Sequence, residues 1–275
     1  MYVIVHQGGA LRGAFGAHVI ASLMMKRRPD LVLGNSIGAV NGSVAASGRF
    51  GALREFWLSV DGKNIIDGIS GFLRPSLFGG KGGLLSLAPL RAKLEKYVTL
   101  EGLQVPFGAG VVSKRTFEYI TLLSDEMKTD EDLVDAIEGS SAIAFIMEPV
   151  TIDYQDQQVT VCDAGHRHSI PMIPAHLLPS VTEVDVILCN PIEPQPTEVR
   201  KTDGIFDAFA WLLQAMSVTT QAADLNVYYD MAKSGVRVRI FAPPCNLGNM
   251  LDTDSATIRR RWYHGGVAAE NPVIL

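Results

Sequence analysis

Ser36 stands at the centre of Gly34-Asn35-Ser36-Ile37-Gly38, a G-x-S-x-G pattern. Small residues on either side of such a serine let a strand turn sharply into a helix and leave the hydroxyl exposed as a nucleophile for acyl transfer. The same five residues are also compatible with a plain turn. A second segment, Gly8-Gly9-Ala10-Leu11-Arg12-Gly13, offers free backbone N–H groups ahead of a helix that should begin near Arg12 or Gly13. Those groups and the helix terminus suit either a phosphate or the oxyanion of an acyl-transfer intermediate. A dinucleotide loop would need G-x-G-x-x-G, but Ala10 holds the middle glycine position and no acidic residue ends a second strand. A third segment, Val159-Thr160-Val161-Cys162-Asp163-Ala164-Gly165, alternates like a strand and ends on a carboxylate. Asp163 is placed like a catalytic acid or base, although an aspartate at a strand end is also common turn chemistry.

The elements needed to hold these groups can be read from the hydrophobic pattern. Tyr2-Val3-Ile4-Val5 and Leu31-Val32-Leu33 read as short buried strands, and Gly38 to Ala46 as a small-residue helix able to pack closely on a sheet. Further along, Phe107 to Val112 and Thr116 to Leu123 read as strands, arranged as a hairpin around Lys114-Arg115. Glu131 to Glu138 reads as a helix, Val184 to Cys189 as a strand, Phe206 to Tyr229 as one long helix or two shorter ones, and Val236 to Ala242 as a late strand. The alternation implies an α/β chain with a largely parallel central sheet covered on both faces.

Taken in order, G-G-A-L-R-G, G-N-S-I-G and D-A-G resemble the signatures of the patatin-like phospholipases, and Ser140 to Val150 resembles the segment that precedes their aspartate strand. The similarity covers roughly residues 1 to 195 and implies a three-layer α/β/α fold. It implies a dyad in which Asp163 activates Ser36 without a histidine. Oxyanion stabilisation would come from Gly8, Gly9, Ala10, Arg12 and Gly13 with the backbone of Ile37, and Gly34 and Gly38 would shape the elbow. Ala10 and Ala164 depart from the family's glycines, and each adds a Cβ where backbone freedom is usual. The substrate implied is a lipid or phospholipid acyl ester, with peripheral contact at a membrane. Neither the pattern nor the resemblance indicates a metal or an organic cofactor.

An ordinary aspartate, with a pKa of about 3.9, is a weak base toward a serine hydroxyl, so Asp163 needs a desolvating environment to serve. Histidine is the alternative base, and the chain has His6, His18, His166, His168, His176 and His264. An order of Ser36, then Asp163 or Asp185, then His264 would match an α/β-hydrolase. Only about two strands precede Ser36, however, where that fold normally has several, and Gln7 interrupts a His-Gly-Gly oxyanion motif at His6. A histidine-assisted esterase or thioesterase and a catalytically inactive lipid-binding protein are the alternatives to the dyad hydrolase.

The chain has 275 residues, of which 47% are hydrophobic and 19% charged, enough for one sizeable α/β domain spanning residues 1 to 275. Residues 196 to 275 supply its C-terminal helices and late strand. A net charge of −5 argues against a nucleic-acid partner. Arg259-Arg260-Arg261 reads as a solvated helix face, or beside Trp262 and Tyr263 as a contact for anionic lipid. Cys162, Cys189 and Cys245 are widely spaced and suggest a reducing compartment. With no signal peptide and no apolar run of about twenty residues, the expectation is a cytoplasmic protein. Ile65 to Leu90 is rich in Gly, Leu, Ile and Phe, and reads either as a lid or as a loop packed on the core.

Overall fold

A computed structural model describes residues 1–60, 87–144, 146–193, 195 and 205–275. The segment from Ile65 to Leu90, read as a lid or as a packed loop, falls outside these residues up to position 86. The chain opens with β1 (Tyr2–His6), a 3-10 turn at Ala10–Arg12, α1 (Gly13–Lys26), β2 (Leu31–Asn35), α2 (Ile37–Ala46) and α3 (Phe50–Leu58). It continues through α4 (Ala88–Tyr97), β3 (Phe107–Ser113), β4 (Tyr119–Leu123), α5 (Asp130–Ser141), β5 (Val150–Tyr154) and β6 (Gln157–Asp163). β7 (Glu183–Ile187), α6 (Ile205–Lys233), β8 (Arg237–Phe241), α7 (Ser255–Ala268) and β9 (Val273–Ile274) complete it.

Among the described residues, nine strands form one mixed sheet in the order β5-β6-β3-β2-β1-β7-β8-β9, with β4 pairing β3. The five central strands, β3-β2-β1-β7-β8, run parallel, β4, β6 and β9 join them antiparallel, and β5 pairs antiparallel with β6. Alternation along the strands separates the two faces. Tyr2, Ile4 and Val32 enter one apolar cluster with α1, α2, α3, α5 and α7. Val3, Val5, Leu31 and Leu33 enter another with Leu225 and Tyr228 of α6. Helices thus cover both faces, giving the α/β/α layering expected from the sequence.

One feature of the register positions the chemistry. β4 occupies one edge of β3 along Gly108–Val112, while the other edge is shared end to end by β2 and β6. β2 stops at Asn35 opposite Gly110, and β6, running the opposite way, stops at Asp163 opposite Val111. The C-terminal ends of these two strands therefore meet.

The basic run is not a surface patch. Arg261 is fully buried, donating to the carbonyls of Leu247, Leu11, Asp252 and Asn249, and Trp262 is buried against the ring of His18. Only Arg259 and Arg260 face solvent, because a helical run of three spans most of a turn and so reaches both faces of α7.

Candidate functional site

Ser36 lies between β2 and α2 at φ 55° and ψ −127°. This is backbone that a serine rarely adopts and that costs about 1–3 kcal/mol. Packing enforces it. A Cβ on Gly34 would lie 2.2 Å from the carbonyl oxygen of Gly38, and one on Gly38 would lie 2.2 Å from that of His6. No other residue type fits a turn this close to β1. The end of α5 locks the geometry, since buried Ser140 Oγ accepts the Ser36 N–H at 2.9 Å and donates to the Gly110 carbonyl at 2.7 Å. A capping box between Thr129 and Asp132 starts that helix, which runs three residues beyond the Glu138 end read from the pattern.

Asp163 caps β6 beside Ser36. Its carboxylate accepts the Gly165 N–H at 2.6 Å, and the Ser36 hydroxyl is close enough to favour its charged form. Burial raises its pKa above the usual carboxylate value, opposed in part by the Ser36 hydroxyl, the Gly165 amide and the nearby His166. Raised basicity is what an aspartate needs to accept a serine proton. Ala164, where a glycine is usual, is fully buried with Val112 and Cys162, so its methyl is absorbed by packing.

The glycine loop contributes fewer donors than its sequence offers. Gly8 N–H donates to the Ser169 carbonyl at 3.1 Å, Leu11 N–H to Met250 and Arg12 N–H to Gly9. The N–H groups of Gly9, Ala10 and Ile37 have no hydrogen-bond partner among the described residues. Ala10 sits at φ 47°, the left-handed conformation that a glycine would adopt at no cost. Gly13 packs at the start of α1 against Ile37, whose side chain would lie 2.5 Å from an added Cβ. Arg12 turns away from Ser36. Its buried guanidinium donates to the Gly248 carbonyl at 2.9 Å, to Asn246 at 3.3 Å and to Asn190, tying the loop to the segment before α7.

Ser36 and Asp163 line a cavity of about 350 Å³. Its walls are largely apolar, including Val112, Ile143, Leu213, Met216 and Met250. The wall residues from α6 went unread in the sequence because nothing local distinguishes them from core. Of the histidines, only His166 lines this cavity among the described residues. His168 Nδ1 is paired with Asp224 at 2.7 Å, His6 is buried with its pKa pushed down to about 4 by desolvation, and His18 bonds the Trp262 carbonyl. Asp185, the other candidate acid, is bound by Arg239 and Tyr2.

Buried amides and a phenol support the site, and motif reading missed them. Asn35, next to the serine, donates to the His168 carbonyl at 2.8 Å and accepts from the Tyr119 hydroxyl at 3.0 Å. Gln7 bridges Ser169, Gln221 of α6 and the Cys189 N–H. Each satisfies backbone or amide groups that burial would otherwise strand, at about 1–3 kcal/mol apiece. Among the described residues no group of His, Cys, Asp and Glu is arranged to hold a metal ion, and no helix is long and apolar enough to cross a membrane.

No protein of curated function matches the chain. Among solved structures it matches VipD from Legionella pneumophila with 12% sequence identity and a TM-score of 0.46. That match covers 98% of this chain and 66% of VipD, so the chain spans just under two thirds of that neighbour's length. The family model described as patatin-like phospholipase matches residues 4–176, a span that takes in the glycine loop, the elbow and Asp163. This chain belongs to the patatin-like phospholipase family.

Proposed function

We propose that the protein hydrolyses acyl esters of lipids, phospholipids foremost, through a covalent acyl-Ser36 intermediate. The observation that carries this reading is Ser36 beside a buried Asp163 of raised basicity on the wall of one apolar cavity. Ser36 Oγ attacks the ester carbonyl carbon as its proton passes to Asp163. The N–H groups of Gly9, Ala10 and Ile37 receive the oxyanion, aided by the N-terminus of α2. Collapse breaks the bond to the lipid alcohol, which leaves with the proton from Asp163. Water then attacks the acyl-serine, gives its proton to Asp163, and the fatty acid departs as Ser36 is reprotonated. In this scheme Gly8, Arg12 and Gly13 position the loop instead of binding the oxyanion, because the Gly8 amide and the Arg12 guanidinium are already engaged.

The test is fatty-acid release from mixed phospholipid vesicles, together with fluorophosphonate labelling. Ser36→Ala should abolish both, and Asp163→Asn should lower turnover at least about a hundredfold. His166→Ala/His168→Ala should retain turnover. Loss of activity in the histidine variant with retention in Asp163→Asn would favour a histidine-assisted esterase. An unlabelled, inactive wild type would leave a lipid-binding protein.

A further inference from the structure

We propose that the mouth of the Ser36 cavity docks on an anionic phospholipid bilayer through an apolar rim of Phe117 and Leu212, flanked by Lys114, Arg115 and Arg167. The proposal rests on the lipid-hydrolase reading of the same cavity and names the surface where the substrate would be met. Phe117 combines two unfavourable features, a left-handed φ of 59° and 70% exposure of its side chain. A bulky residue in that conformation is an outlier that persists only when its surroundings impose it. Here the tip of the β3–β4 hairpin is braced: Phe117 N–H donates to the Ser113 carbonyl at 2.9 Å, and Ser113 Oγ accepts from the N–H groups of Arg115 and Thr116. The ring is thus held out in water at the edge of the cavity it lines.

Leu212 of α6 lines the same cavity and is 46% exposed. Two large exposed apolar side chains on the wall of one cavity, one of them held in a rare backbone conformation, exceed the scatter of single exposed hydrophobics. Phe and Leu at such a rim suit the boundary between headgroups and acyl chains. Lys114 also lines the cavity, and Lys114, Arg115 and Arg167 are exposed without an ion pair among the described residues. Glu118 is the one acid on the hairpin tip, so cations dominate it and favour anionic headgroups. Because the rim surrounds the entrance to an apolar cavity, its occupant must be able to deliver an acyl chain into that cavity, which a bilayer does.

Sedimentation with vesicles tests this, using the chain with Ser36→Ala so that the lipid stays intact. Vesicles of phosphatidylcholine with phosphatidylserine should carry the protein down, and those of phosphatidylcholine alone should do so less well. Phe117→Gly should weaken binding about tenfold while raising the Tm, since glycine accepts the left-handed φ; opposite signs separate docking from folding. Lys114→Ala/Arg115→Ala should weaken binding to the anionic vesicles by about fivefold per cation and flatten its salt dependence. Protein that stays in the supernatant with both vesicle types, or binding unmoved by Phe117→Gly, overturns the proposal. So does a rim variant that loses a protein partner while keeping vesicle affinity. If wild type releases no fatty acid yet Ser36→Ala sediments as described, the hydrolase reading fails and the docking surface stands.

Discussion

Replacing Ser36 with glycine should leave a more heat-stable protein than replacing it with alanine, although both variants lack the hydroxyl. Alanine at this position keeps the φ of 55° and ψ of −127° that the elbow imposes, at a cost of about 1–3 kcal/mol. Glycine removes that cost but adds the freedom it brings to the unfolded chain, about 0.5–1 kcal/mol. Near the middle of these ranges the balance favours glycine by about 1 kcal/mol, or about 2–4 °C in Tm for a chain of this size. Scanning calorimetry on the two variants at one scan rate and neutral pH reads the difference directly. At an unstrained position inside a helix the order would reverse, because glycine would then carry only its entropic penalty. An alanine variant that melts at or above the glycine variant would therefore refute the strained elbow, and with it the idea that Gly34, Gly38 and Ser140 hold Ser36 against its own preference.

Turnover should have an acid limb set by Asp163, failing as pH falls through a pKa that burial holds above 3.8, and visible in a pH–rate profile. His166→Gln removes a neighbour that lowers that pKa, so the limb should move to higher pH with activity kept; abolished activity would contradict the dyad. For stability the sign is opposite to that of a salt-bridged acid. Asp163 binds its proton more tightly folded than unfolded, so its unfavourable contribution grows as pH rises from 3.8 through the raised value. Asp163→Asn should hold or raise the Tm at neutral pH. Arg12→Met strips donors from the Gly248 carbonyl, Asn246 and Asn190 and should cost about 3–5 kcal/mol, measured by denaturant unfolding. Gly38→Ala should prevent the elbow from forming, a loss above about 4 kcal/mol, whereas Gly51→Ala, with open space around it in α3, should stabilise by about 0.5–1 kcal/mol; thermal melts separate the pair.

The parts of the fold that were legible in the sequence are those in which burial leaves a local periodic trace. β1, β2, the β3–β4 hairpin, the long α6 and β8 all fall where the apolar pattern places them. β5, β9 and α3 were not read, being short, half exposed or weakly patterned. The Arg259–Arg261 run misled because charge in a sequence suggests solvent, yet Arg261 satisfies its guanidinium on four backbone carbonyls and needs no water.

At the site, the serine between two glycines, the glycine loop and the strand-end aspartate are carried by single short segments, because a tight turn or a strand terminus restricts residue type within a few positions. Their meeting is not so carried. Asp163 reaches Ser36 because β2 and β6 share one edge of β3 and stop one residue apart, a consequence of pairing between segments over a hundred residues distant. Long-range register likewise brings Ser140 under the elbow, diverts the Gly8 amide to Ser169, turns Arg12 toward Asn190 and sets α6 along the cavity. Hydrogen bonds and desolvation act through space, so which donors stay free and which carboxylate becomes basic is decided only when the sheet closes.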